Sequence, residues 1–160
     1  MLESRLLKKD EIIHCYDLIS NHKLDLIYFL NLGWSKNQFV SQFKKEINFS
    51  FGYFKNNNLI GFIIGDLVNI ENISEYEILI LYVDINYRKK GYATNLIKES
   101  IFLLKDKNLK KMYLDVAESN NSAINFYKKI NFDIVGKRKK YYVISGNKVD
   151  AFILEKIVNF

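Results

Sequence analysis

The chain has 160 residues, of which 49% are hydrophobic and 15% aromatic, so its composition excludes a disordered protein and predicts a single packed domain over residues 1–160. A net charge of +6 favours an acidic partner, such as nucleic acid, an anionic membrane or a phosphorylated small molecule. The single cysteine, Cys15, excludes an intrachain disulfide, and the positions of His14 and His22 predict no metal site.

No segment has the pattern of a membrane or export element. No apolar run approaches about 18 residues, the length of a transmembrane helix. The N-terminal stretch MLESRLLKKDEIIHCYDL contains no apolar core of signal-peptide length. We therefore expect a cytoplasmic protein with no membrane partner.

Two helices are predicted in the first third of the chain. The first covers residues 9–21, where Ile12, Tyr16 and Ile19 recur on one face. The second covers residues 35–46, with Ser35 as its N-cap. Trp34 falls in the loop between these two helices.

The following segments alternate between strand and helix patterns. FSFGYFK and LIGFIIGDLV flank the polar turn KNNN and predict an antiparallel hairpin, and EYEILILYVDI is apolar on both faces, as a central strand must be. A helix over 91–105 then crosses over to the strand KKMYLDVAE, followed by the short helix NNSAINFYKKI, capped by Asn120 or Ser119, and by two closing strands. The order β-α-α-β-β-β-α-β-α-β-β predicts an α/β domain with a mixed sheet and helices on both faces.

The loop YRKKGYA joins the central strand to the crossover helix. It lacks the second glycine and the Lys-Ser/Thr pair of a Walker loop and is not G-x-G-x-x-G, which excludes nucleotide hydrolysis and dinucleotide binding. What remains is R-x-x-G-x-A, formed by Arg88, Gly91 and Ala93. Free N–H groups at a helix start suit a pyrophosphate, although a basic turn that Gly91 merely helps to bend would have the same pattern.

Two motifs in the correct order resemble those of the GNAT N-acetyltransferases. VDINYRKKGYATNLI resembles the acetyl-CoA-binding motif V-x-x-x-x-Q/R-x-x-G-x-G/A, and LDVAESNNSAINFYKKINFDIVGKRKKYY resembles the pattern of the RimI-type ribosomal-protein N-terminal acetyltransferases. GWSKNQF resembles the P-W-S segment of the same branch. The resemblance is strong over residues 77–157 and implies the GNAT fold, with a mixed, mostly antiparallel central sheet and helices on both faces.

The resemblance also implies the residues that bind acetyl-CoA. The backbone of the central strand would contact the pantetheine and the thioester, and the loop would wrap the pyrophosphate. Asn120 would contact the cofactor, serve as a helix N-cap, or do both. The implied cofactor-binding residues are Leu81, Tyr82, Val83, Arg88, Lys89, Lys90, Gly91, Tyr92, Ala93, Thr94 and Asn120.

Two catalytic roles follow from the same resemblance. Tyr127 occupies the position of the general acid that protonates the departing CoA thiolate, although a tyrosine on a short helix is also an ordinary core residue. Asp115 occupies the position of the glutamate that serves as general base, and its alternative is a strand-end carboxylate paired with a lysine. Because aspartate is one methylene shorter, Glu77 and Glu118 are alternative bases.

The acceptor side of the site is implied by three aromatic residues. Tyr141 and Tyr142 match tyrosines that line the peptide groove, and Trp34 would border it; sheet packing is the alternative for the tyrosines. The basic run KRKK at 137–140 is either a solvated strand face or a surface for an acidic protein or ribosomal RNA.

The resemblance therefore predicts an acetyl-CoA-dependent N-acetyltransferase that releases CoA. Its acceptor would be a protein N-terminal α-amino group, that of a ribosomal protein in the RimI branch, attacked directly without an acyl-enzyme. A small-molecule amine or a lysine side chain is the alternative acceptor, and a non-catalytic CoA-binding or ribosome-associated module is the alternative function. No sequence-specific nucleic-acid binding is expected.

Overall fold

A computed structural model describes every residue from Met1 to Phe160. Seven strands and five α-helices follow one another along the chain. They are β1 (Leu2–Leu6), α1 (Ile12–Ser20), α2 (Lys23–Asn31), α3 (Lys36–Phe43), β2 (Phe51–Lys55), β3 (Asn58–Ile70), β4 (Ile73–Val83), α4 (Tyr92–Leu103), β5 (Leu109–Ala117), α5 (Asn121–Lys129), β6 (Asp133–Ile144) and β7 (Asn147–Ile157).

All seven strands belong to one sheet, in the order β1-β2-β3-β4-β5-β7-β6. Every neighbouring pair is antiparallel except β4 and β5, which are parallel and are connected by the crossover helix α4. The mixed, mostly antiparallel sheet expected from the sequence is thereby confirmed. The predicted β2–β3 hairpin and the central position of β4 are confirmed as well.

Helices cover both faces of the sheet because the inner strands are apolar on both sides. Adjacent residues of β3 point to opposite faces, so that Phe62 packs with α1 and α3 whereas Ile63 packs with α4 and α5. The two cores therefore lie back to back, with the sheet between them. None of the helices is both long and apolar enough to cross a membrane.

The helix α2 is absent from the sequence prediction, which placed only two helices before the hairpin. Its sequence KLDLIYFLN has apolar residues on every side, so no 3.6-residue period marks it, and none of its residues is buried. The helix α3 begins where expected, because the Ser35 Oγ accepts a hydrogen bond from the Gln38 N–H at 3.2 Å. It ends at Phe43 rather than at residue 46.

A β-bulge deforms β4 near its middle. Gly65 of β3 lies opposite Ile78, and the preceding residue Ile64 lies opposite Ile80, which leaves Leu79 without a partner. A bulge of this kind bends its strand and re-aims the side chains that follow.

The bend separates β4 from β5. These strands are paired only from Ser74 with Leu109 to Glu77 with Tyr113, and no register continues beyond that point. Residues 78–83 of β4 and 114–117 of β5 therefore diverge, and we call the gap between them the fork. The fork places unpaired strand backbone beside the helices α2 and α5.

Candidate active site

The fork encloses a cavity of about 150 Å³. Its walls are β4, β5, α2 and the start of α5, and most of its lining is apolar. Five residues predicted from the sequence to belong to the site line this cavity: Leu81, Asp115, Asn120, Tyr127 and Tyr142. The structure thus gathers residues 61 positions apart in sequence around one opening.

A groove leads from the fork to the basic loop, residues 88–91, in front of α4. A cavity of about 430 Å³ shares Leu81, Asn120 and Tyr127 with the fork cavity. It shares Val83 and Lys89 with a further cavity of about 370 Å³ at the basic loop. The three cavities overlap and form one continuous depression, suited to an extended ligand.

The backbone of β4 presents amide groups to the fork. The Asp84 N–H donates to the Ile60 carbonyl of β3 at 2.9 Å. Because successive amides of a strand point to alternate sides, Tyr82 also faces β3, whereas Leu81 and Val83 face the fork. Three strand residues were predicted to contact the cofactor. The backbone amides of two of them, Leu81 and Val83, are directed at the cavity, whereas that of Tyr82 is not.

The basic loop ends in a helix N-terminus that no side chain caps. Gly91 has φ +82°, in the left-handed region that favours glycine, and its carbonyl accepts the first helical bond from the Asn95 N–H at 3.0 Å. The N–H groups of Tyr92, Ala93 and Thr94 precede that bond and have no acceptor within the protein. Free N–H groups and the positive end of the helix dipole are features that suit the binding of an anion.

The Arg88 side chain fastens the basic loop to α2. Its Nη2 lies 2.6 Å from the Asp25 Oδ2, and its Nε donates to the Val83 carbonyl at 2.8 Å. The Tyr82 hydroxyl donates to the same Asp25 oxygen at 2.8 Å, and the guanidinium lies 5.3 Å from the Tyr82 ring centroid. Burial and this carboxylate raise the pKa of Tyr82, so the hydroxyl stays a donor. Arg88 therefore holds the loop in shape, because its guanidinium is bonded to Asp25 and to the Val83 carbonyl within the protein.

The two lysines of the basic loop differ from each other. Lys90 folds back on the loop, since its Nζ donates to the Asn86 carbonyl at 2.9 Å and lies 5.8 Å from the Tyr87 ring centroid. Lys89 forms no ion pair and lines both the loop cavity and the groove. Of the cations predicted to hold a pyrophosphate, Lys89 is the one whose charge is unengaged.

Loss of the Asp25 carboxylate is expected to loosen α2. In an Asp25→Asn variant the ion pair with Arg88 is removed, at a cost in stability below about 1 kcal/mol because the arginine is more than a third exposed. Hydrogen–deuterium exchange of the Lys23–Asn31 amides should accelerate, since no buried residue anchors this helix. Asp17→Asn on α1, where the exposed carboxylate has no ion pair, is the control and should leave that exchange unchanged.

Tyr127 brings a protonated phenol to the fork. Its ring packs edge-on against Phe126 and Phe132, with centroids 5.0 and 5.2 Å away. Burial raises the pKa of Tyr127 above its ordinary value, with smaller contributions from Tyr28 and Tyr142. The hydroxyl forms no hydrogen bond within the protein and lies in a residue that lines the cavity, so it is available to a ligand.

The three candidate bases have different surroundings. The Asp115 carboxylate accepts from the Arg138 Nε at 3.1 Å, so its partner is an arginine and not the lysine considered from the sequence. Glu118 lies 2.8 Å from the Lys137 Nζ. Glu77 has no ion pair, and burial followed by repulsion from Asp115 raises its pKa.

The aromatic residues expected at the acceptor side are divided by the structure. The Tyr142 hydroxyl donates to the Asp115 carbonyl at 3.2 Å, and the exposed Tyr141 ring packs edge-on against Tyr142 at 4.9 Å. Trp34 instead packs against Phe39 of α3 at 5.4 Å and is not part of the fork lining. The structure brings Tyr142 to the fork, with Tyr141 packed against it, and leaves the half-buried tryptophan beside Phe39.

Three residues in and directly after α2 line the site and have no counterpart in the sequence prediction. Tyr28 and Phe29 of α2 and the following Leu32 line the fork cavity, and the Tyr28 hydroxyl accepts from the Asn120 Nδ2 at 3.3 Å. The Asn120 Oδ1 accepts from the Ala123 N–H, so Asn120 is also the N-cap of α5. The aromatic residues in KLDLIYFLN were the only sequence signal for this wall of the site. They could have been assigned to the site only if the segment had first been predicted to be a helix.

A family model for the acetyltransferase (GNAT) family matches residues 16–132. The chain is 33% identical over 102 residues to the probable N-acetyltransferase san of Drosophila melanogaster, a match that covers 63% of this chain and 55% of that protein. It is 37% identical over 101 residues to the [ribosomal protein bS18]-alanine N-acetyltransferase of Haemophilus influenzae, covering 62% of this chain and 66% of that enzyme. The matched segment thus spans between half and two thirds of these relatives.

Solved structures share the fold over the whole chain. The ribosomal-protein-S18-alanine N-acetyltransferase of Escherichia coli superposes with a TM-score of 0.81 at 22% identity, covering 100% of this chain and 96% of that one. Arabidopsis thaliana NAA60 in complex with acetyl-CoA gives 0.78 at 19% identity, with complete coverage of both chains. These structures show the fold, and the family model, which matches more than two thirds of the chain, shows that the chain belongs to the acetyltransferase (GNAT) family.

Proposed function

We propose that this protein transfers the acetyl group of acetyl-CoA to the α-amino group of a protein N-terminus. The observation that carries the proposal is the single groove that joins the uncapped N-terminus of α4 to the fork. An anion site at one end and a phenol with strand amides at the other fit a long phosphorylated thioester. The ribosomal protein bS18-alanine N-acetyltransferases among its relatives support an N-terminal acceptor, and a ribosomal protein as that acceptor.

The residues of the groove fit the chemistry of acetyl-CoA. The N–H groups of Tyr92, Ala93 and Thr94, with Lys89 beside them, would hold the pyrophosphate. The amides of Leu81 and Val83 would lie along the pantetheine and stabilise the negative charge that develops on the thioester oxygen. Acetyl-CoA supplies an acetyl group already activated as a thioester, so the protein needs no nucleophile of its own.

Direct transfer without an acyl-enzyme agrees with the state of the only cysteine. Cys15 is fully buried in the core between α1 and the sheet, away from the fork. Burial raises the pKa of its thiol, which removes the thiolate that a nucleophilic cysteine needs. The acceptor amine itself is therefore the attacking group.

Proton transfer requires one base and one acid. Glu77 is the better supported base, because its raised pKa and lack of an ion pair leave it free to exchange a proton. Glu77 does not itself line the fork cavity; it lies at the last paired position of β4 and β5, directly before the lining residue Ile78, so it would act on the ammonium through a water. Tyr127 would donate its proton to the CoA thiolate, whose parent thiol has a pKa of about 8.5.

Two measurements test this function in sequence. Thermal unfolding with and without acetyl-CoA should show a higher midpoint with the ligand, and an unchanged midpoint would refute the cofactor assignment. Peptides with varied first residues, the same peptides with a lysine as their only amine, and spermidine should then be offered with acetyl-CoA and the products weighed by mass spectrometry. Acetylation confined to lysine or spermidine would replace the proposed acceptor by the alternative one.

A pair of glycines separates loop geometry from general stability. Gly91 and Gly146 both have positive φ, +82° and +79°, and a Cβ at either position would meet no atom within 4 Å. Alanine at either site should therefore cost about 1–2 kcal/mol of stability through backbone strain alone. Only Gly91→Ala is expected to weaken acetyl-CoA binding, by about tenfold, because it displaces N–H groups of the anion site. Equal acetyl-CoA affinities in a calorimetric titration of both variants would contradict the site.

A further inference from the structure

The basic run at 137–140 does not form one basic surface. The Lys137 Nζ lies 2.8 Å from Glu118 and 3.2 Å from Asp150. These two ion pairs hold the lysine side chain outside the fork. The Arg138 side chain extends in another direction and reaches the Asp115 carboxylate at 3.1 Å. One cation of the run is thus directed into the candidate active site.

The sheet provides the path for this long side chain. Arg138 of β6 is registered with Ala151 of β7, which is registered with Ala117 of β5. Residues in register share a face of the sheet, and both partners of Arg138 are small. The guanidinium can therefore lie across β7 and reach Asp115, two residues before Ala117 on the same face.

A wide bulge in β6 completes the enclosure of Asp115. Between Arg138 opposite Ala151 and Tyr142 opposite Val149, three residues of β6 face Asp150 alone. The Lys140 N–H donates to the Asp150 Oδ1 at 2.7 Å, with Lys140 at φ +53°. This bulge turns the neighbouring tyrosines toward β5. Two residues of β6 therefore contact Asp115: Arg138 donates to its carboxylate, and the Tyr142 hydroxyl donates to its carbonyl.

Arg138 supplies the positive charge that Asp115 needs while the fork holds no acceptor. The Asp115 side chain is only 10% exposed, and Arg138 is the cation that contacts it. Two further carboxylates, Glu77 and Asp66, are partners in the β3–β4 register, and Lys45 is bound to Asp66 at 3.3 Å. The phenols of Tyr76, Tyr113, Tyr141 and Tyr142 also lie near these carboxylates, which contribute to raising their pKa.

We propose that Arg138 is a displaceable counter-ion, whose place beside Asp115 is taken by the ammonium group of the incoming acceptor. The inference rests on the proposed function, since it requires an amine as acceptor. The Arg138 side chain is 47% exposed, so solvent surrounds much of it while it is paired with Asp115, and its guanidinium also lies 5.6 Å from the exposed Tyr141 ring centroid. It can leave the carboxylate without entering an unfavourable environment.

Displacement gives the site selectivity for positively charged, ammonium-bearing acceptors over neutral ones. A neutral acceptor that pushed the guanidinium aside would leave Asp115 nearly buried without a counter-ion, which is costly. An acceptor ammonium group takes the place of the guanidinium beside Asp115, so the carboxylate keeps a positively charged partner. Arg138 is accordingly a positioning residue that acts through Asp115, and takes no part in the chemical step.

The Arg138 Nε–H signal reports the displacement directly. In ¹⁵N-labelled protein with CoA bound, the signal is assigned by its loss in Arg138→Lys. Titration with an alanine-initiated peptide amide should move it toward the position of a solvent-exposed arginine, and the same peptide with an acetylated N-terminus should not. Lysine peptides and spermidine extend the titration to other amines. A signal that no amine moves would overturn the inference.

Kinetics provide the second measurement. Arg138→Gln should lower the acceptor KM by up to about fivefold, the factor that corresponds to an exposed ion pair, with the acetyl-CoA KM unchanged. Arg138→Lys should keep the wild-type acceptor KM, and Lys139→Gln, which removes the same charge one residue along without an ion pair, should also keep it. A purely structural role would instead lower kcat and the unfolding midpoint without separating the two KM values.

The two proposals fail in different ways. Absence of acetylation of every amine by the wild type would refute the proposed function, while the NMR titration would still decide whether an ammonium displaces Arg138. Wild-type turnover combined with an unchanged acceptor KM in Arg138→Gln would overturn the counter-ion role and leave the acetyltransferase function intact.

Discussion

Replacement of Tyr127 by phenylalanine is expected to lower kcat by about a hundredfold or more, because general acid catalysis contributes about 10²–10⁴ in rate. The ring remains in place between Phe126 and Phe132, so packing is preserved. The lost hydroxyl forms no hydrogen bond within the protein, and its removal therefore leaves no partner unsatisfied. Steady-state kinetics at saturating acetyl-CoA measure the effect.

The expected separation of rate from binding makes this variant diagnostic. The KM for acetyl-CoA and the unfolding midpoint of Tyr127→Phe should stay close to those of the wild type. Tyr16→Phe, which removes a hydroxyl in the core on the opposite face of the sheet, is the matched control and should keep full activity. Unchanged turnover in Tyr127→Phe would exclude this residue as the acid and leave proton donation to a water.

The parts of the site that lie on continuous segments could be predicted from the sequence. Gly91 and Ala93 follow a strand and open a helix, so the uncapped helix start is visible as a local pattern. Asn120 and Tyr127 lie seven residues apart across two turns of one helix, which places both at the same side of the groove. In each case the residues that form the feature lie in one helix and the loop directly before it.

The features that remained hidden depend on contacts between distant segments. The bulge at Leu79 has no residue signature, because isoleucine and leucine fill both the bulged and the regular positions of β4. The pairs Asp25–Arg88 and Asp115–Arg138 join residues 63 and 23 positions apart, and nothing local selects one carboxylate for one cation. The roles of both arginines are consequently readable only from the folded chain.

Glu77 has surroundings that make its carboxyl group hold a proton more tightly than an ordinary glutamate. Burial raises its pKa above the ordinary 4.5, and the neighbouring carboxylates Asp115 and Asp66 add to this effect. A group that holds its proton more tightly in the folded state makes the protein less stable as the pH rises from 4.5 to the raised pKa. Glu77 therefore costs stability at neutral pH, which is a common property of catalytic groups.

Replacement of Glu77 by glutamine is expected to lower kcat/KM by about a hundredfold or more. In the wild type, kcat/KM should rise with pH as Glu77 loses its proton, with a midpoint above 4.5, and this limb should be absent from the variant. The unfolding midpoint of Glu77→Gln at neutral pH should equal or exceed that of the wild type, so that lost activity is not lost folding.

Asp115→Asn distinguishes the two carboxylates. It should keep more activity than Glu77→Gln, and it should move the acidic limb of kcat/KM to lower pH, because removal of the neighbouring negative charge lowers the pKa of Glu77. Arg138, released from Asp115, would act in the same direction. A larger loss in Asp115→Asn, with the limb abolished, would instead identify Asp115 as the base and reduce Glu77 to a charge that tunes it.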